Sequence, residues 1–377
     1  MSGAVGLYIH IPWCLVRCGY CDFNTYVFNP LTEQRYAQSY VDALCDEVDV
    51  AHRVLGTTTV NTIYFGGGTP SLMAVQDYRR ILDQVREGFE IAADAEITTE
   101  ANPETLTLDH LEQIRATGVN RLSLGMQSST PHVLATLDRV HTAGRVAEVV
   151  DWARRAGFTN LSLDLIYGTP GESMADWRDS LRTAVDLAPE HVSAYSLIVE
   201  EGTRLARRMA AGQLPHPDED DLADKYICAD EILSSAGFQW YEVSNWSKPG
   251  HECRHNLGYW RCQPWWGIGA GAHSFIDHMR WWNHKRPETY IQALADTGSP
   301  IAGSEQLTAD QAHTESVMLA LRLREGIDES VLTQQEKERA LEYVQSGHLT
   351  HPGSRFVCTR AGRLIADGIV REILGAC

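Results

Sequence analysis

The sequence lacks a long apolar run, an excess of positive charge and a second Cys-x-x-Cys pair. No uncharged apolar stretch is long enough for a membrane-spanning helix, and the amino terminus has no basic segment followed by a signal-peptide cleavage pattern. Asp and Glu number 50 against 32 Lys and Arg, so the formal net charge is −18. Such a chain repels phosphate backbones, which argues against nucleic acid as a partner. We therefore expect a cytoplasmic protein that does not bind nucleic acid.

The first two-thirds of the chain alternates short β-branched or aromatic runs with amphipathic helical patterns. The strand-like runs are 6–11, 60–65, 95–100, 121–126, 160–167 and 191–199. The helical patterns that follow them are 31–55, 71–88, 107–117, 143–156, 173–187 and 218–236. Strict alternation predicts parallel strands joined by right-handed crossovers. We predict an α/β fold with a partial (β/α)6 TIM-like barrel, and a doubly wound sheet is the alternative.

Changes in composition divide the chain into three predicted parts. These are a barrel at 1–237, an aromatic and His-rich segment closing the barrel at 238–304, and a C-terminal helical, winged-helix-like domain at 305–377. Residues 240–284 contain seven of the ten tryptophans and five of the fifteen histidines. The last part shows helical patterns at 308–324 and about 328–345, and then a β-wing and a final helix within 347–374.

Unusual residues follow the predicted strands. A cysteine-rich loop follows the first strand, the glycine-rich "GGGTPS" (66–71) follows the second, and Glu100, Gln127 and Asp164 lie at or near the ends of later strands. In a parallel α/β barrel, the carboxyl ends of the strands share one rim, where binding and catalytic sites are built. We therefore expect these loops to converge on one site.

Three cysteines, Cys14, Cys18 and Cys21, lie within eight residues of one another. They would share one face of a helix, but Pro12 and Gly19 argue against a helix there. A structural zinc ion needs four protein ligands, and no second pair is present to complete the set. Three thiolates on a [4Fe–4S] cluster would leave one iron open to bind a small molecule. The iron–sulfur interpretation is therefore favoured.

The spacing Cys14-x3-Cys18-x2-Cys21, with Tyr20 before the last cysteine, resembles the signature of the radical SAM superfamily. Further segments, from residue 8 to about 274, resemble the HemN/HemW family in the same order: "YIHIPWCLVRCGYCDF", "YFGGGTPS", "RLSLGMQS", "LDRVH", "LSLDLIYGTPG", "YEVSNW", "CRHNLGYW" and "GIGAGAHS". The resemblance implies a radical SAM barrel. There, S-adenosylmethionine (SAM) binds the open iron through its amino and carboxylate groups, and an electron from the cluster cleaves its carbon–sulfur bond.

The same resemblance implies which side chains and loops contact SAM. They are Tyr8, Tyr20, Gly67, Gly68, Thr69, Glu100, Gln127, Arg139 and Asp164. Glycines allow the backbone to approach a ligand closely, and the carboxylates can bond a ribose or a cationic group. No Gly-Lys-Ser/Thr follows the glycines, so a phosphate loop is disfavoured. For Arg139, a solvated charge at a helix end remains the alternative.

Two features separate the branches of this family. HemN-type enzymes usually have a further cysteine two positions after the third, where this chain has Phe23, and they carry a long N-terminal extension. "RHNLGYW" (254–260) instead matches the HNxxYW segment of the HemW branch, the haem chaperones. The resemblance implies haem at His255, with Cys253 and His273 as rival ligands. An aromatic core with a hydrogen-bonded His255 is the alternative. The flat side chains expected around His255 are Trp246, Tyr259, Trp260, Trp265 and Trp266.

We predict a haem chaperone of the HemW type that binds a [4Fe–4S] cluster, SAM and haem, and passes haem to an acceptor protein. Respiratory proteins are candidate acceptors. The alternative is a radical SAM enzyme, either an oxygen-independent coproporphyrinogen III oxidase or a HemN-like methyltransferase, and we expect no coproporphyrinogen oxidase activity. A homodimer and a peripheral contact with a membrane stay open.

Overall fold

The computed structural model describes residues 4–29, 33–139 and 143–375. Residues 31–32 of the first predicted helix and residues 140–141 of the "LDRVH" segment lie outside this part. The strands, in chain order, are β1 (Val5–Ile11), β2 (Trp13–Cys14), β3 (Tyr26–Val27), β4 (Thr59–Gly67), β5 (Glu90–Ala101), β6 (Arg121–Gln127), β7 (Leu161–Tyr167), β8 (His191–Ser196), β9 (Gln239–Glu242), β10 (Asn245–Ser247), β11 (Trp265–Ile268), β12 (His273–Ile276), β13 (Met279–Asn283), β14 (Ile301–Gln306), β15 (Ile327–Asp328), β16 (Leu349–Thr350) and β17 (Arg355–Cys358).

Helices follow most of the parallel strands. The α-helices are α1 (Gln34–Leu55), α2 (Val75–Gly88), α3 (Leu108–Ala116), α4 (Pro131–Thr136), α5 (Ala143–Arg155), α6 (Met174–Asp186), α7 (Arg204–Ala210), α8 (Glu219–Ser235), α9 (Arg254–Trp260), α10 (Pro287–Thr297), α11 (Ala309–Ala320), α12 (Gln334–Gln345), α13 (Arg360–Leu364) and α14 (Ala366–Leu374). Short 3₁₀ turns cover Pro70–Leu72, Pro103–Thr105 and Glu329–Val331. None of the helices in the described ranges is both long and apolar enough to cross a bilayer.

One twelve-stranded sheet organises the molecule, in the order β14-β13-β12-β11-β1-β4-β5-β6-β7-β8-β10-β9. The strands from β1 through β4 to β8 pair in parallel, as the alternating pattern predicts, so the predicted α/β class is confirmed. The last of them ends at Ser196, three residues before the predicted end. Residues 239–306 extend both edges, with β9 and β10 beside β8 and β11 to β14 beside β1.

The two faces of the parallel strands differ in chemistry. Leu7 and Ile9 on β1 and Phe65 on β4 are fully buried in one core with residues of α1 and α2. Because side chains alternate along a strand, Tyr8 and Tyr64 project from the opposite face. That face carries mostly polar and aromatic side chains, and it is the face on which the candidate site is built.

The C-terminal helices and β-wing have a hydrophobic core of their own. Val317, Leu321, Phe356 and Ile369 are buried together in it. The wing also includes a strand from outside the predicted range 347–374, because β15 pairs with β17. The helix predicted at 308–324 ends at Ala320, and the one predicted from about 328 begins at Gln334. The division at residues 237 and 304 stays a prediction.

Candidate cofactor and haem site

The three clustered cysteines lie on one loop between β1 and α1. The short parallel pair of β2 and β3 closes this loop. The Thr69 hydroxyl donates to Cys14 Sγ at 3.5 Å, and Arg139 Nη1 donates to Cys18 Sγ at 3.4 Å. Cys21 Sγ lies 3.9 Å from the Thr25 hydroxyl. Each sulfur therefore has a polar partner.

Within the described ranges, no group of three or more His, Cys, Asp or Glu side chains is arranged to hold one metal ion. A cubane iron–sulfur cluster does not need its thiolates to surround one metal ion, because each thiolate binds a different iron atom. Burial raises the pKa of Cys14 and of Cys21, while Thr69 and Arg139 lower that of Cys14. Three sulfur donors beside a cation fit an iron–sulfur cluster, whose thiolates are anionic.

The glycine strip packs tightly against the cysteine loop. Gly68 N–H donates to the carbonyl of Ile11 at 2.8 Å, and a Cβ on Gly68 would lie 2.6 Å from the Trp13 carbonyl oxygen. Gly67 has a φ of 112°, and its Cβ would lie 2.4 Å from the His10 ring. Only glycine fits at either position. The lack of a side chain lets the glycine strip pack directly against the cysteine loop, the other loop of the predicted SAM site.

Two partly buried carboxylates lie on β5 and β7, which are separated by β6 in the sheet. Glu100 accepts hydrogen bonds from the Tyr64 hydroxyl at 2.8 Å and from Gly67 N–H at 3.1 Å. Burial raises the pKa of Glu100 to about 7, against the lowering effect of those two donors. Asp164 accepts from the Ser123 hydroxyl at 3.0 Å, and burial also raises its pKa. Both carboxylates can accept further hydrogen bonds from a hydroxyl or a cation.

Tyr8 is oriented by a histidine that the sequence analysis did not select. His10 Nε2 lies 2.9 Å from the Asn24 carbonyl, which can only accept, so this nitrogen carries the proton. His10 Nδ1 then accepts from the Tyr8 hydroxyl at 3.0 Å. Burial lowers the pKa of His10 to about 4, so the ring is neutral. Tyr8 and His10 are two residues apart on β1, so their side chains lie on the same face of the sheet. This spacing is the signal in the sequence that could have placed His10 beside Tyr8.

Arg139 bridges the cysteine loop and the end of β6. Besides its bond to Cys18, its Nη2 donates to the Gly125 carbonyl at 3.0 Å, and its Nε is buried without a partner in the described part of the chain. The structure therefore does not show a solvated helix-end charge. Gln127 has a φ of 62°, which is in the left-handed region. At this residue the pairing of β6 with β7 is irregular. Tyr20 packs against a small hydrophobic cluster that includes Val133 and Leu137.

His255 lies in the interior, on α9. Its Nδ1 is 2.8 Å from the Thr62 hydroxyl and its Nε2 is 2.8 Å from the Tyr259 hydroxyl. Its backbone N–H donates to Glu96 at 3.0 Å. Burial lowers the pKa of His255 to about 3, so the imidazole is neutral. An axial bond to haem iron would require one of the two ring nitrogens to give up its hydrogen bond, so the assignment stays a prediction.

A series of rings joins Tyr8 to the HNxxYW segment. Tyr8 stacks on Tyr64 with centroids 6.3 Å apart, and Tyr64 stacks on His255 at 5.2 Å. His255 contacts Tyr259 edge-on at 4.9 Å, and Tyr259 contacts Trp265 at 4.7 Å. We call these five residues the aromatic column. Tyr64, which the sequence analysis missed, connects its two halves because it lies directly opposite Tyr8 in the register of β1 and β4.

The rival haem ligands differ in setting. Cys253 Sγ contacts Glu96 at 3.5 Å, and burial raises the pKa of Cys253 to about 12, which keeps it a thiol. His273 is exposed and bonds the Gly271 carbonyl through Nδ1. Trp246, expected near His255, instead packs against a tyrosine of α8.

Comparison with known proteins identifies the family. Residues 8–184 match the model of the Radical SAM superfamily. The heme chaperone HemW of Mycobacterium tuberculosis is 52% identical, over 98% of this chain and 95% of that protein. The chain belongs to the HemW family of radical SAM proteins. The heme chaperone HemW of Escherichia coli is 33% identical, over 98% of each chain. The family predicted from the sequence is therefore confirmed.

Among solved structures, the radical SAM enzyme coproporphyrinogen III oxidase (HemN) of Escherichia coli matches with a TM-score of 0.86. The match covers 100% of this chain and 91% of that one, at 24% identity. At this identity the likeness shows a shared fold only. The HemW relatives, not this enzyme, therefore indicate which branch of the family the chain belongs to.

Proposed function

We propose that this HemW family member is a haem chaperone. It binds a [4Fe–4S] cluster at Cys14, Cys18 and Cys21, SAM beside that cluster, and haem near His255, and it passes the haem to an acceptor protein. The observation that carries the proposal is the 52% identity to a heme chaperone over 98% of the chain, which includes both the cysteine loop and the HNxxYW segment.

The cluster, when bound, supplies one-electron chemistry and an open iron for SAM. The residues of this chain hold the surroundings of that site. Thr69 and Arg139 donate to cysteine sulfurs, which stabilises the charge on thiolates. Gly67 and Gly68 keep the glycine strip close to the loop. Glu100 offers a carboxylate for a cationic or hydroxyl group of SAM.

The haem side of the proposal rests on a neutral imidazole among flat rings. Neutral imidazole is a usual ligand of haem iron, and burial keeps His255 neutral throughout the physiological range. Thr62 and Tyr259 fix the orientation of the ring from both sides. Release of the Tyr259 hydroxyl would free Nε2 while the Thr62 bond still holds the ring. Tyr64 provides a parallel aromatic surface on one side.

Haem titration of three proteins tests the proposal: the reconstituted wild type, His255→Ala and His191→Ala. His191 is a matched control, because it is also buried and its ring nitrogens bond Ser162 and Tyr241 at 2.8 Å each. We expect His255→Ala to weaken haem binding at least about tenfold, since it removes the axial ligand. Its iron–sulfur absorbance should remain. His191→Ala should bind haem as the wild type does. Equal affinity in all three proteins would assign the ligand elsewhere, and no saturable binding by the wild type would refute the proposed function.

A further inference from the structure

Arg121 is a buried cation without a partner in the described part of the chain. It begins β6, and only 2% of the residue is exposed. Among the described residues, no carboxylate forms an ion pair with its guanidinium and no group accepts a hydrogen bond from it. Thr98 lies directly opposite Arg121 on β5, and its hydroxyl is also buried without a partner there. A buried ion that is not paired is strongly unfavourable, so this guanidinium calls for a partner from outside the chain.

Two other buried charges show how the fold usually treats such groups. Lys225, which is 1% exposed, donates to the Glu172 carbonyl at 3.0 Å and to Asp221 at 2.6 Å. Glu47, also 1% exposed, accepts hydrogen bonds from one backbone and two side-chain donors. Arg121 differs from both, because the chain surrounds it and yet supplies no acceptor among the described residues.

Arg121 faces the interior of the barrel. Leu122, next to it on β6, is buried in the core that packs against the helices, so Arg121 projects from the opposite face of the sheet. The strand register places Arg121 opposite Thr98, Thr98 opposite Tyr64, and Tyr64 opposite Tyr8. Arg121 therefore lies in the same row of the sheet as two tyrosines of the aromatic column.

The position of Arg121 is deeper in the barrel than that of the predicted SAM carboxylate Glu100. Glu100 pairs with Ser123, two residues after Arg121, so at about 3.3 Å per residue Arg121 lies about 7 Å closer to the amino ends of the strands. Its charge acts across the barrel. Burial lowers the pKa of His191 on β8 and of His255 on α9, and the Arg121 charge lowers both further.

The carboxylate of Glu96 also lies in this part of the barrel, but its oxygens are engaged. They accept hydrogen bonds from the backbone N–H of Arg254 at 3.1 Å and of His255 at 3.0 Å, and from the Cys253 thiol at 3.5 Å. Glu96 therefore holds the start of α9 in place and leaves Arg121 without an ion pair.

The guanidinium keeps two nitrogens free for a ligand. Its Nε is sealed off, whereas the two Nη atoms are neither sealed nor bonded within the described residues. Tyr195, on the inward face of β8, is 46% exposed, and Tyr64 and Glu100 are half-buried, so the interior holds space that is open to solvent. Two parallel N–H donors of a guanidinium match the two oxygens of a planar carboxylate. Charge and shape therefore both select a carboxylate.

We propose that the interior of the barrel binds a carboxylate group, which pairs with the two Nη atoms of Arg121. The carboxylate belongs to a small organic acid or to a propionate arm of haem, and only the second source rests on the function proposed above. Tyr8 and Tyr64, in the same row of the sheet, offer aromatic surface to the rest of the ligand. The bound group supplies the negative charge that Arg121 lacks.

Urea unfolding with added propionate tests the binding of a carboxylate. Propionamide is the uncharged counterpart of propionate, and sodium chloride at the same concentration controls for ionic strength. We expect propionate alone to raise the urea midpoint of the wild type, because it binds the folded state. Arg121→Met removes the charge and keeps a long side chain. Its midpoint without propionate should equal or exceed that of the wild type, and propionate should no longer raise it.

Arg363→Met is the matched control. The Arg363 side chain is only 11% exposed, but both its Nη atoms bond Asp230, at 3.0 and 2.9 Å. This control should have a lower urea midpoint than the wild type and an unchanged response to propionate. If Arg121→Met does not fold, Arg121→Lys decides, since it keeps a charge without the fork and should bind propionate at least about threefold more weakly. The proposal is overturned if propionate acts on the wild type no differently from chloride, or acts undiminished on the Arg121 variant that folds.

Haem and its dimethyl ester distinguish the two sources of the carboxylate, because the ester masks both propionates. If a propionate arm is the source, the wild type should bind haem at least about tenfold more tightly than the ester, and Arg121→Met should bind both alike. Equal wild-type affinities, together with the propionate effect in urea, assign the site to a small organic acid. Absence of haem binding would reject the proposed function, while the urea experiment would still decide whether Arg121 binds a carboxylate.

Discussion

Replacement of Gly68 by Ala should detach the glycine strip from the cysteine loop. The new Cβ would lie 2.6 Å from the Trp13 carbonyl oxygen and 2.9 Å from the Ile11 carbonyl oxygen. Both are backbone atoms, so no side chain can rotate away to relieve the contact. The strip must shift by several tenths of an ångström, and the bonds nearest to it are affected first.

Two backbone hydrogen bonds join the loops at this point. Gly68 N–H donates to Ile11 at 2.8 Å, and Thr69 N–H donates to Trp13 at 2.7 Å. At about 1 kcal/mol each, and with the steric strain added, the cost is about 2–4 kcal/mol. The Thr69 hydroxyl, which bonds Cys14, moves with them. We therefore expect a protein that folds but retains less than half of the wild-type iron and sulfide.

The assay is iron and sulfide content, with the visible absorbance, after anaerobic reconstitution, next to urea unfolding of the same protein. Gly144→Ala is the matched control, because Gly144 lies in α5 and a Cβ there meets nothing within 4 Å. It should retain the full cluster and gain up to about 1 kcal/mol in helix stability. Full iron content in Gly68→Ala, with unchanged stability, would refute the argument that these backbone contacts hold the site.

Three other predictions concern Cys18, Glu100 and Glu47. Cys18→Ala should abolish the visible cluster absorbance, while Cys45→Ala, which alters a cysteine of α1, should not; iron analysis checks both. Since the pKa of Glu100 is raised to about 7, this carboxyl gains its charge as pH rises through neutrality, so anaerobic calorimetry should show tighter SAM binding at about pH 8 than at about pH 6. Glu100→Gln should bind SAM more weakly and without that pH dependence, and an unchanged dependence would exclude Glu100 as its source. Glu47 accepts bonds from Gly269, Asn283 and Tyr290, so Glu47→Ala should lower the free energy of unfolding by about 3 kcal/mol in urea. Burial raises the pKa of Glu47 to about 7, so the folded protein favours the protonated carboxyl. The stabilisation that this group gives the wild type therefore falls as pH rises from about 4.5 to 7, and Glu47→Ala should remove this pH dependence of the free energy of unfolding.

The sequence predicted the parallel strands well, because the alternation of strand-like runs with helical patterns is visible within short stretches of the chain. It did not predict that β11 pairs with β1. Trp265, where β11 begins, follows Ile11, where β1 ends, by 254 positions, and no short-range pattern indicates such a contact. The contribution of β15 to the predicted wing was missed for the same reason, because α12 separates β15 from β17 along the chain.

In the candidate site, too, local motifs were predicted from the sequence and long-range contacts were not. The cysteines and glycines were visible as motifs, but the roles of His10 and Tyr64 were not. Tyr64 contacts Glu100, Tyr8 and His255, which come from three other parts of the chain. The hydrogen bonds to both nitrogens of His255 also depend on long-range packing. Such contacts could be found only once the register of the strands was known.

The most direct measurement combines haem titration with a coproporphyrinogen turnover assay, on one anaerobically reconstituted sample that contains SAM. A haem chaperone should bind haem saturably, release it to a haem-free acceptor, and leave coproporphyrinogen unchanged. Conversion of coproporphyrinogen coupled to formation of 5′-deoxyadenosine, without saturable haem binding, would contradict the proposed function and assign the chain an enzymatic role.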